Sequence, residues 1–155
     1  MNKKSFQEYY APEFSHCFGC GTANEQGLHV KSYWVDGTEN ESVAYYRPEG
    51  HHTGGFPGFV YGGLIAAILD CHGNGTAAAA GYKREMRAMD TLPALRYVTA
   101  NLNLNYKKPT PMGVDLELRA RVVETTARKV SMELRLIANG TITVEGSMIS
   151  VLLPA

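Results

Sequence analysis

The sequence lacks both a charge imbalance and an apolar run long enough to span a membrane. Its 155 residues include 15 Lys and Arg and 15 Asp and Glu, so the formal net charge is zero. This balance gives no electrostatic reason to expect nucleic acid or an anionic membrane as a partner. The most apolar uncharged stretch, residues 56–69, holds three glycines and a proline and is too short to cross a bilayer. No apolar run follows the lysines near the start, so we expect neither a secretory signal nor a membrane partner.

Cysteine is scarce as well, with three residues in the chain. An odd number is a poor disulfide framework and favours a reducing compartment, so we expect a cytoplasmic protein. Cys17 and Cys20 form a C-x2-C pair, which is half of a typical zinc site, but the sequence has no second such pair and no H-x3–5-H. We therefore predict no metal. A structural zinc is the minor alternative, and a tight glycine-rich turn explains the pair equally well.

The hydrophobic periodicity changes along the chain from strand to helix and back to strand. Residues 1–26 are irregular, with a short helix at 5–10 as a weak feature. Apolar residues at helical spacing predict one helix over 61–81, apolar on almost every side, and a polar connection over 83–93. Alternating patterns and turn residues such as Asn139-Gly140 predict strands on both sides of the helix. These predicted strands cover residues 28–35, 41–47, 97–106, 114–122, 130–136 and 141–153.

This order of elements predicts an α+β fold in which a curved antiparallel sheet of about six strands wraps around one long central helix. We expect residues 1–155 to form a single domain, with residues 1–26 packed on it. A single sheet covers its helix on one side, and its outer strands have unpaired edges. We therefore expect a homo-oligomer, either a dimer or a dimer of dimers.

The segment that carries chemistry lies at the start of the predicted helix. Gly62 and Gly63 stand where a loop becomes the helix, and N–H groups of a first helical turn lack partners within the helix. Such an end binds an anion or a polarised carbonyl oxygen. Asp70 lies inside the apolar helix, where a carboxylate is costly unless it is paired or used. At helical spacing it shares a face with small residues and with Asn74, which leaves room for a ligand.

Three motifs resemble those of hotdog-fold acyl-CoA thioesterases, in particular the phenylacetate-type branch. The run YGGLIAAILD resembles the family's HGG helix start, with an acidic residue seven positions after the second glycine. The segment TANLNLNYKKPTPMG resembles the following strand, and HCFGCGTANEQGLHV resembles the opening of one branch. The resemblance covers most of the chain from His16 onward. Tyr61 departs from it, since it replaces the usual histidine.

The resemblance implies a role for three residues. Asp70 matches the acidic residue that acts as nucleophile or as general base toward water. Gly62 matches the glycine whose backbone N–H polarises the thioester carbonyl. Thr99 matches a hydroxyl residue that the neighbouring subunit supplies in the family. The resemblance therefore implies active sites at subunit interfaces, each with Gly62 and Asp70 from one chain and Thr99 from the other.

Further side chains are candidates for substrate binding, and coenzyme A itself counts as part of the substrate, so no separate cofactor is expected. Asn101 and Asn103 are expected to share the face of Thr99, because alternate residues of a strand point the same way. Arg128 and Lys129, in a turn between strands, are candidates for the phosphates of coenzyme A, although charged turn residues are usually only solvated. The complete candidate set for substrate binding is Tyr61, Gly63, Asn74, Asn101, Asn103, Arg128 and Lys129.

We therefore expect hydrolysis of an acyl-coenzyme A thioester. Two alternatives remain open at this point. A non-enzymatic acyl-CoA-binding protein would bind without turnover. A hotdog hydratase or dehydratase normally uses a histidine–carboxylate pair, and Tyr61 at the histidine position counts against it.

Overall fold

The computed structural model describes residues 3–154, and one long helix dominates it. This helix, α1, spans Gly62–Arg84. Single turns of 3-10 helix cover Phe6–Tyr9, Pro12–Phe14 and Gly50–His52. Within residues 3–154 there are six strands: β1 Tyr33–Trp34, β2 Glu41–Tyr46, β3 Tyr97–Tyr106, β4 Leu116–Thr125, β5 Lys129–Ala138 and β6 Thr141–Leu152.

The strands form one antiparallel sheet that wraps around α1. Their order across the sheet is β1-β2-β4-β5-β6-β3, which places β3 at one edge. The helix packs against β2, β3, β4, β5 and β6, and its apolar residues meet those strands in one core. This is the hotdog architecture, so the predicted fold class is confirmed. None of the helices in residues 3–154 combines the length and the apolar composition that crossing a bilayer requires.

Most predicted elements are present, with shifted ends. The helix begins one residue later than expected and continues three residues further, so that Lys83 and Arg84 lie in its last turn, where cations are favourable. The predicted strand over 28–35 is wrong except at Tyr33–Trp34. Its first half contacts the N-terminal segment instead, since Leu28 N donates a hydrogen bond to the carbonyl of Phe18. The backbone at His29 has a positive φ of 58°, which interrupts the strand conformation.

A bulge in β3 changes the direction of several side chains. Thr99 pairs with Ser150 of β6, but Asn101 pairs with the next residue, Ile149, so Ala100 is an extra residue in the ladder. Cross-strand partners in an antiparallel sheet share a face. Thr99 therefore lies on the face of the buried Ser150, next to the helix. The prediction that Asn101 shares this face is wrong, and so is the same prediction for Asn103.

A buried polar network anchors α1 beside its acidic residue. His72 is fully buried, and burial lowers its pKa to about 3, so its ring is neutral. Its Nδ1 lies 2.8 Å from the Ser32 hydroxyl and its Nε2 lies 3.2 Å from the Ser42 hydroxyl. Gln7 Nε2 donates to Ser32 at 3.0 Å, which ties the N-terminal segment to the helix. His72 is therefore a structural residue of this chain.

We expect the substitution His72→Ala to lower the free energy of unfolding by about 3 kcal/mol, because it leaves a cavity and deprives two buried hydroxyls of a partner. Urea denaturation followed by circular dichroism measures the change. His51→Ala is the matched control, since that side chain is exposed on the single 3-10 turn Gly50–His52 and should alter stability by no more than about 0.5 kcal/mol. Equal stability of the two variants would contradict a structural role for the network.

Candidate active site

The side chains of Asp70, Thr99 and Asn74 form a hydrogen-bonded chain between α1 and β3. The Thr99 hydroxyl donates to Asp70 Oδ1. Asn74 Nδ2 donates to Thr99 Oγ1 at 2.9 Å, and Ser150 Oγ donates to Asn74 Oδ1 at 2.8 Å. Asp70 and Asn74 are one helical turn apart and therefore face the same strand. Three of the residues selected from sequence thus meet, whereas nothing in the sequence pointed to Ser150.

The surroundings of Asp70 affect its protonation. Burial raises the pKa of this half-buried carboxyl above its ordinary value. The hydrogen bond from Thr99 acts in the opposite direction, and the negative charge of the Cys17 thiolate raises the pKa again. A carboxylate with a raised pKa is a stronger base than one in water, which suits it to accepting a proton.

Asp70 lies in the wall of a cavity of about 670 Å³, a size typical of small-molecule sites. One wall is the stretch of α1 from Asp70 to Tyr82, and the others are the N-terminal segment and the connection from α1 to β3. Most of the lining is apolar or aromatic, and no histidine lines it within residues 3–154. Its aromatic members are Tyr9, Tyr10, Phe14, Tyr82 and Tyr97. An acyl chain is the kind of group that such a lining accepts.

The glycines selected from sequence lie at the beginning of α1, outside this cavity. No backbone carbonyl of residues 3–154 accepts a hydrogen bond from the N–H of Gly62 or Gly63. Tyr106 Oη donates to the carbonyl of Gly62 at 2.7 Å. The exposed ring of Tyr61 lies against Gly63, where a Cβ atom would be 2.4 Å from that ring. The N–H groups of Gly62 and Gly63 are therefore available to a ligand beside the rings of Tyr61 and Tyr106. Of these two tyrosines, the sequence had indicated Tyr61 alone as a site residue.

Asp70 and Gly62 of one chain are far apart. They are separated by eight residues of helix, which corresponds to about 12 Å along the axis. The sequence-based expectation was that these two residues act together in one chain and that a neighbouring subunit supplies Thr99. In the structure Thr99 reaches Asp70 within the same chain, because β3 pairs with β6 alongside α1.

The other candidates do not line the cavity that contains the carboxylate. Arg128 lines a groove that adjoins the cavity. Arg96 lines both the groove and the cavity, and nothing in the sequence pointed to it. Lys129 lines a neighbouring groove with Arg128. Asn101 and Asn103 are exposed on the opposite face of the sheet edge.

All three cysteines line the cavity beside Asp70. Cys17 Sγ and Cys71 Sγ are 3.7 Å apart. The hydrogen bond from Cys71 lowers the pKa of Cys17 to about 5, and the backbone amides of Cys20 and Gly19 act in the same direction. The C-x2-C pair predicted from sequence therefore joins a third thiol that is distant in the chain.

Solved structures similar to this chain include thioesterases from several bacteria. A thioesterase superfamily protein from Shewanella loihica PV-4 is 39% identical, with a TM-score of 0.66 over 92% of this chain and 97% of that protein. The protein smu.793 from Streptococcus mutans UA159 is 14% identical, with a TM-score of 0.64 over 85% of this chain and 96% of that protein, a likeness of fold alone.

Curated relatives include the acyl-coenzyme A thioesterase THEM4 of two rodents. The Rattus norvegicus protein is 33% identical and the Mus musculus protein 29% identical, each over 128 residues and 83% of this chain. The chain spans about half the length of these relatives, since the matches cover 47% of each.

The family match covers the region that contains α1 and most of the sheet. Residues 57–145, more than half of the chain, match the model of the thioesterase superfamily. This match includes Gly62, Asp70 and Thr99, and it agrees with the Shewanella loihica protein, which is similar over nearly its whole length. The chain belongs to the thioesterase superfamily.

Proposed function

We propose that this protein hydrolyses acyl-coenzyme A thioesters with Asp70 as its central catalytic residue. The observation that carries the proposal is the contact of Asp70 with Thr99 in the wall of a largely apolar cavity of about 670 Å³. The THEM4 relatives, which are acyl-coenzyme A thioesterases, support the substrate class. So do two proteins of the same fold, one from Streptococcus mutans solved with acetyl-CoA and one from Streptococcus pneumoniae solved with coenzyme A.

The chemistry needs a nucleophile and a means of stabilising negative charge on the carbonyl oxygen. In one route Asp70 removes a proton from water, and the resulting hydroxide adds to the thioester carbon. In the other route the carboxylate adds directly and forms an anhydride that water then hydrolyses. In both routes the C–S bond breaks and coenzyme A leaves as a thiolate, which takes up a proton. Thr99 and Asn74 hold the carboxylate in position.

The oxyanion requires a donor, and we propose that the donor is Gly62 N–H from a second copy of the chain. A separation of about 12 Å along one helix prevents Gly62 and Asp70 of the same chain from contacting one carbonyl group. The edge of β3 has no strand beside it within residues 3–154, and Val98 and Tyr106 on that strand are 40% and 51% exposed. A second copy at this edge would satisfy the free edge and bring another helix start close to Asp70.

We further propose that the whole chain functions as one hotdog domain. The N-terminal segment completes it, since Tyr9, Phe14 and the cysteine pair line the cavity. In this arrangement the acyl group occupies the cavity beside α1. Arg96 and Arg128, in the adjoining groove, would bind the phosphates of coenzyme A, because guanidinium groups bind phosphate oxygens in pairs.

The Thr99 hydroxyl can be tested separately from the carboxylate. We expect Thr99→Val to lower kcat by about 10–100-fold, since it removes the donor that positions Asp70 while preserving the shape of the side chain. Thr99→Ser, which retains a hydroxyl, should stay within a few-fold of the wild type. Equal losses in both variants would indicate that packing, and not the hydrogen bond, matters at this position.

The function itself is tested by incubating the purified protein with acyl-CoAs that range from short to long aliphatic and aromatic acyl groups. Free coenzyme A is separated by chromatography and quantified, which avoids interference from the thiols of the protein. We expect turnover of at least one substrate class above the rate in buffer. If the folded protein binds acyl-CoAs and releases coenzyme A from none of them, the protein is an acyl-CoA-binding module and the proposal is wrong.

A further inference from the structure

We propose that Cys17, Cys20 and Cys71 form a binding site for a Zn²⁺ ion that joins the N-terminal segment to α1. The first two cysteines lie in the loop at residues 15–21, and the third lies on the helix next to Asp70. This metal site differs from what the sequence alone predicted. It is independent of the thioesterase proposal, because its ligands and its test do not involve turnover.

The positions of the three sulfur atoms suit a soft cation. All three Sγ atoms lie within 4.8 Å of one another, and those of Cys17 and Cys71 are 3.7 Å apart. With Zn–S bonds of about 2.3 Å, the sulfur atoms of a tetrahedral site are separated by about 3.8 Å. The Cys17–Cys71 separation already matches this value. No separation in the cluster exceeds 4.8 Å, so the other two would change by at most about 1 Å when the ion binds. Cys20 and Cys71 are buried, so two of the three ligands are already fixed by the core.

The two glycines of the loop allow this approach. A Cβ atom at Gly19 would lie 2.2 Å from Cys71 Sγ. Any residue other than glycine at this position would therefore push the loop away from the Cys71 thiol. A Cβ atom at Gly21 would lie 2.4 Å from the carbonyl oxygen of Ser15, which would prevent the tight return of the chain after Cys20. The sequence C-F-G-C-G therefore has small residues at the two positions where a side chain would separate the sulfur atoms.

The set of ligands favours zinc over a disulfide. Three thiols converge, whereas a disulfide would use two and leave the third unpaired beside it. Within residues 3–154 the cluster contains sulfur ligands alone, and no histidine belongs to it. Three protein ligands leave the fourth position of a tetrahedral ion to a water molecule, and the cavity that all three cysteines line provides space for it.

Zinc at this position would fasten the wall of the cavity. The loop at residues 15–21 and the helix belong to segments about 50 residues apart, and the metal would link them next to the carboxylate. Because such an ion binds the folded chain, its addition should raise thermal stability. At about 100-fold excess over Kd, the midpoint of unfolding should rise by about 5–10 °C.

The test is a titration of reduced protein from which metals have been removed by a chelator. Zn²⁺ is added in competition with a chromophoric chelator, and we expect one ion per chain. Co²⁺ in its place should give the thiolate-to-cobalt charge-transfer absorption and the visible bands of a tetrahedral site. Cys17→Ser changes an exposed position. Loss of a residue that contacts a metal ligand typically weakens metal binding by about 10–100-fold, and we expect the loss of this ligand to weaken Zn²⁺ binding by more than that. The variant should also lose the rise in the midpoint of unfolding.

Two further variants make the result specific. Gly19→Ala retains all three thiols but separates them, so it should also weaken Zn²⁺ binding. His16→Ala, which alters an exposed residue of the same loop that is not part of the cluster, should bind as the wild type does. The proposal is overturned if the wild-type protein binds Zn²⁺ more weakly than the chelator does, or if Cys17→Ser binds Zn²⁺ as tightly as the wild type. It is also overturned if the protein purified without reductant has the mass of a disulfide and reduction does not restore Zn²⁺ binding.

Discussion

Asp70→Asn should lower kcat for coenzyme A release by about 10³-fold or more, while KM for the acyl-CoA changes only a few-fold. The amide has nearly the same shape and still accepts a hydrogen bond from Thr99, but it is a poor base and a poor nucleophile. A loss confined to kcat is the signature of an interaction made in the transition state. Steady-state kinetics by chromatographic quantification of free coenzyme A measures both parameters.

The matched control is Asp90→Asn, which neutralises another carboxylate in the lining of the same cavity. Asp90 is exposed, follows the helix in sequence and takes no part in the hydrogen-bonded chain of Asp70, Thr99 and Asn74. We expect this variant to retain activity within a few-fold of the wild type. Similar losses in both variants would mean that the charge of the cavity, and not the chemistry of Asp70, controls the rate.

Gly62→Pro should lower kcat by about 10²–10³-fold, the usual effect of removing one donor from an oxyanion site. Proline lacks the N–H and is tolerated at the first position of a helix. The residue before it, Tyr61, has φ −59° and ψ 128°, a conformation that proline accepts in its predecessor. The substitution therefore removes the proposed donor with little change in the backbone.

Gly62→Ala is the control, because it retains the N–H. A Cβ atom at this position would lie 3.6 Å from the Tyr106 ring, which is an ordinary van der Waals contact. We expect this variant to keep most of its activity. Loss of activity in the alanine variant as well would show that the side chain, and not the missing N–H, affects catalysis.

The sequence predicts the main elements well because their patterns come from burial. The helix has apolar residues on almost every side, and 15 of its residues are buried under the sheet, so helical periodicity and composition located it to within three residues. The Asn139-Gly140 turn was equally clear, since both residues have a positive φ, at 51° and 75°.

What the sequence could not predict depends on contacts between distant segments. Leu28 and Val30 alternate as a strand does, but their N–H groups bind carbonyls of the loop at residues 15–21. The bulge at Ala100 leaves no mark in the alternating pattern, and it moved Asn101 to the other face of the sheet. The approach of Cys71 to the C-x2-C pair likewise depends on the docking of the N-terminal segment, which no spacing in the sequence reveals.

The central claim is that one active site combines Asp70 of one chain with the Gly62 N–H of another. It is tested most directly by co-expressing the Asp70→Asn and Gly62→Pro chains with different tags and purifying the mixed oligomer. In each mixed pair one site is intact and the other carries both defects, so activity should recover to about a quarter to a half of the wild-type rate, far above either parent. A mixed oligomer no more active than its parents would contradict the claim.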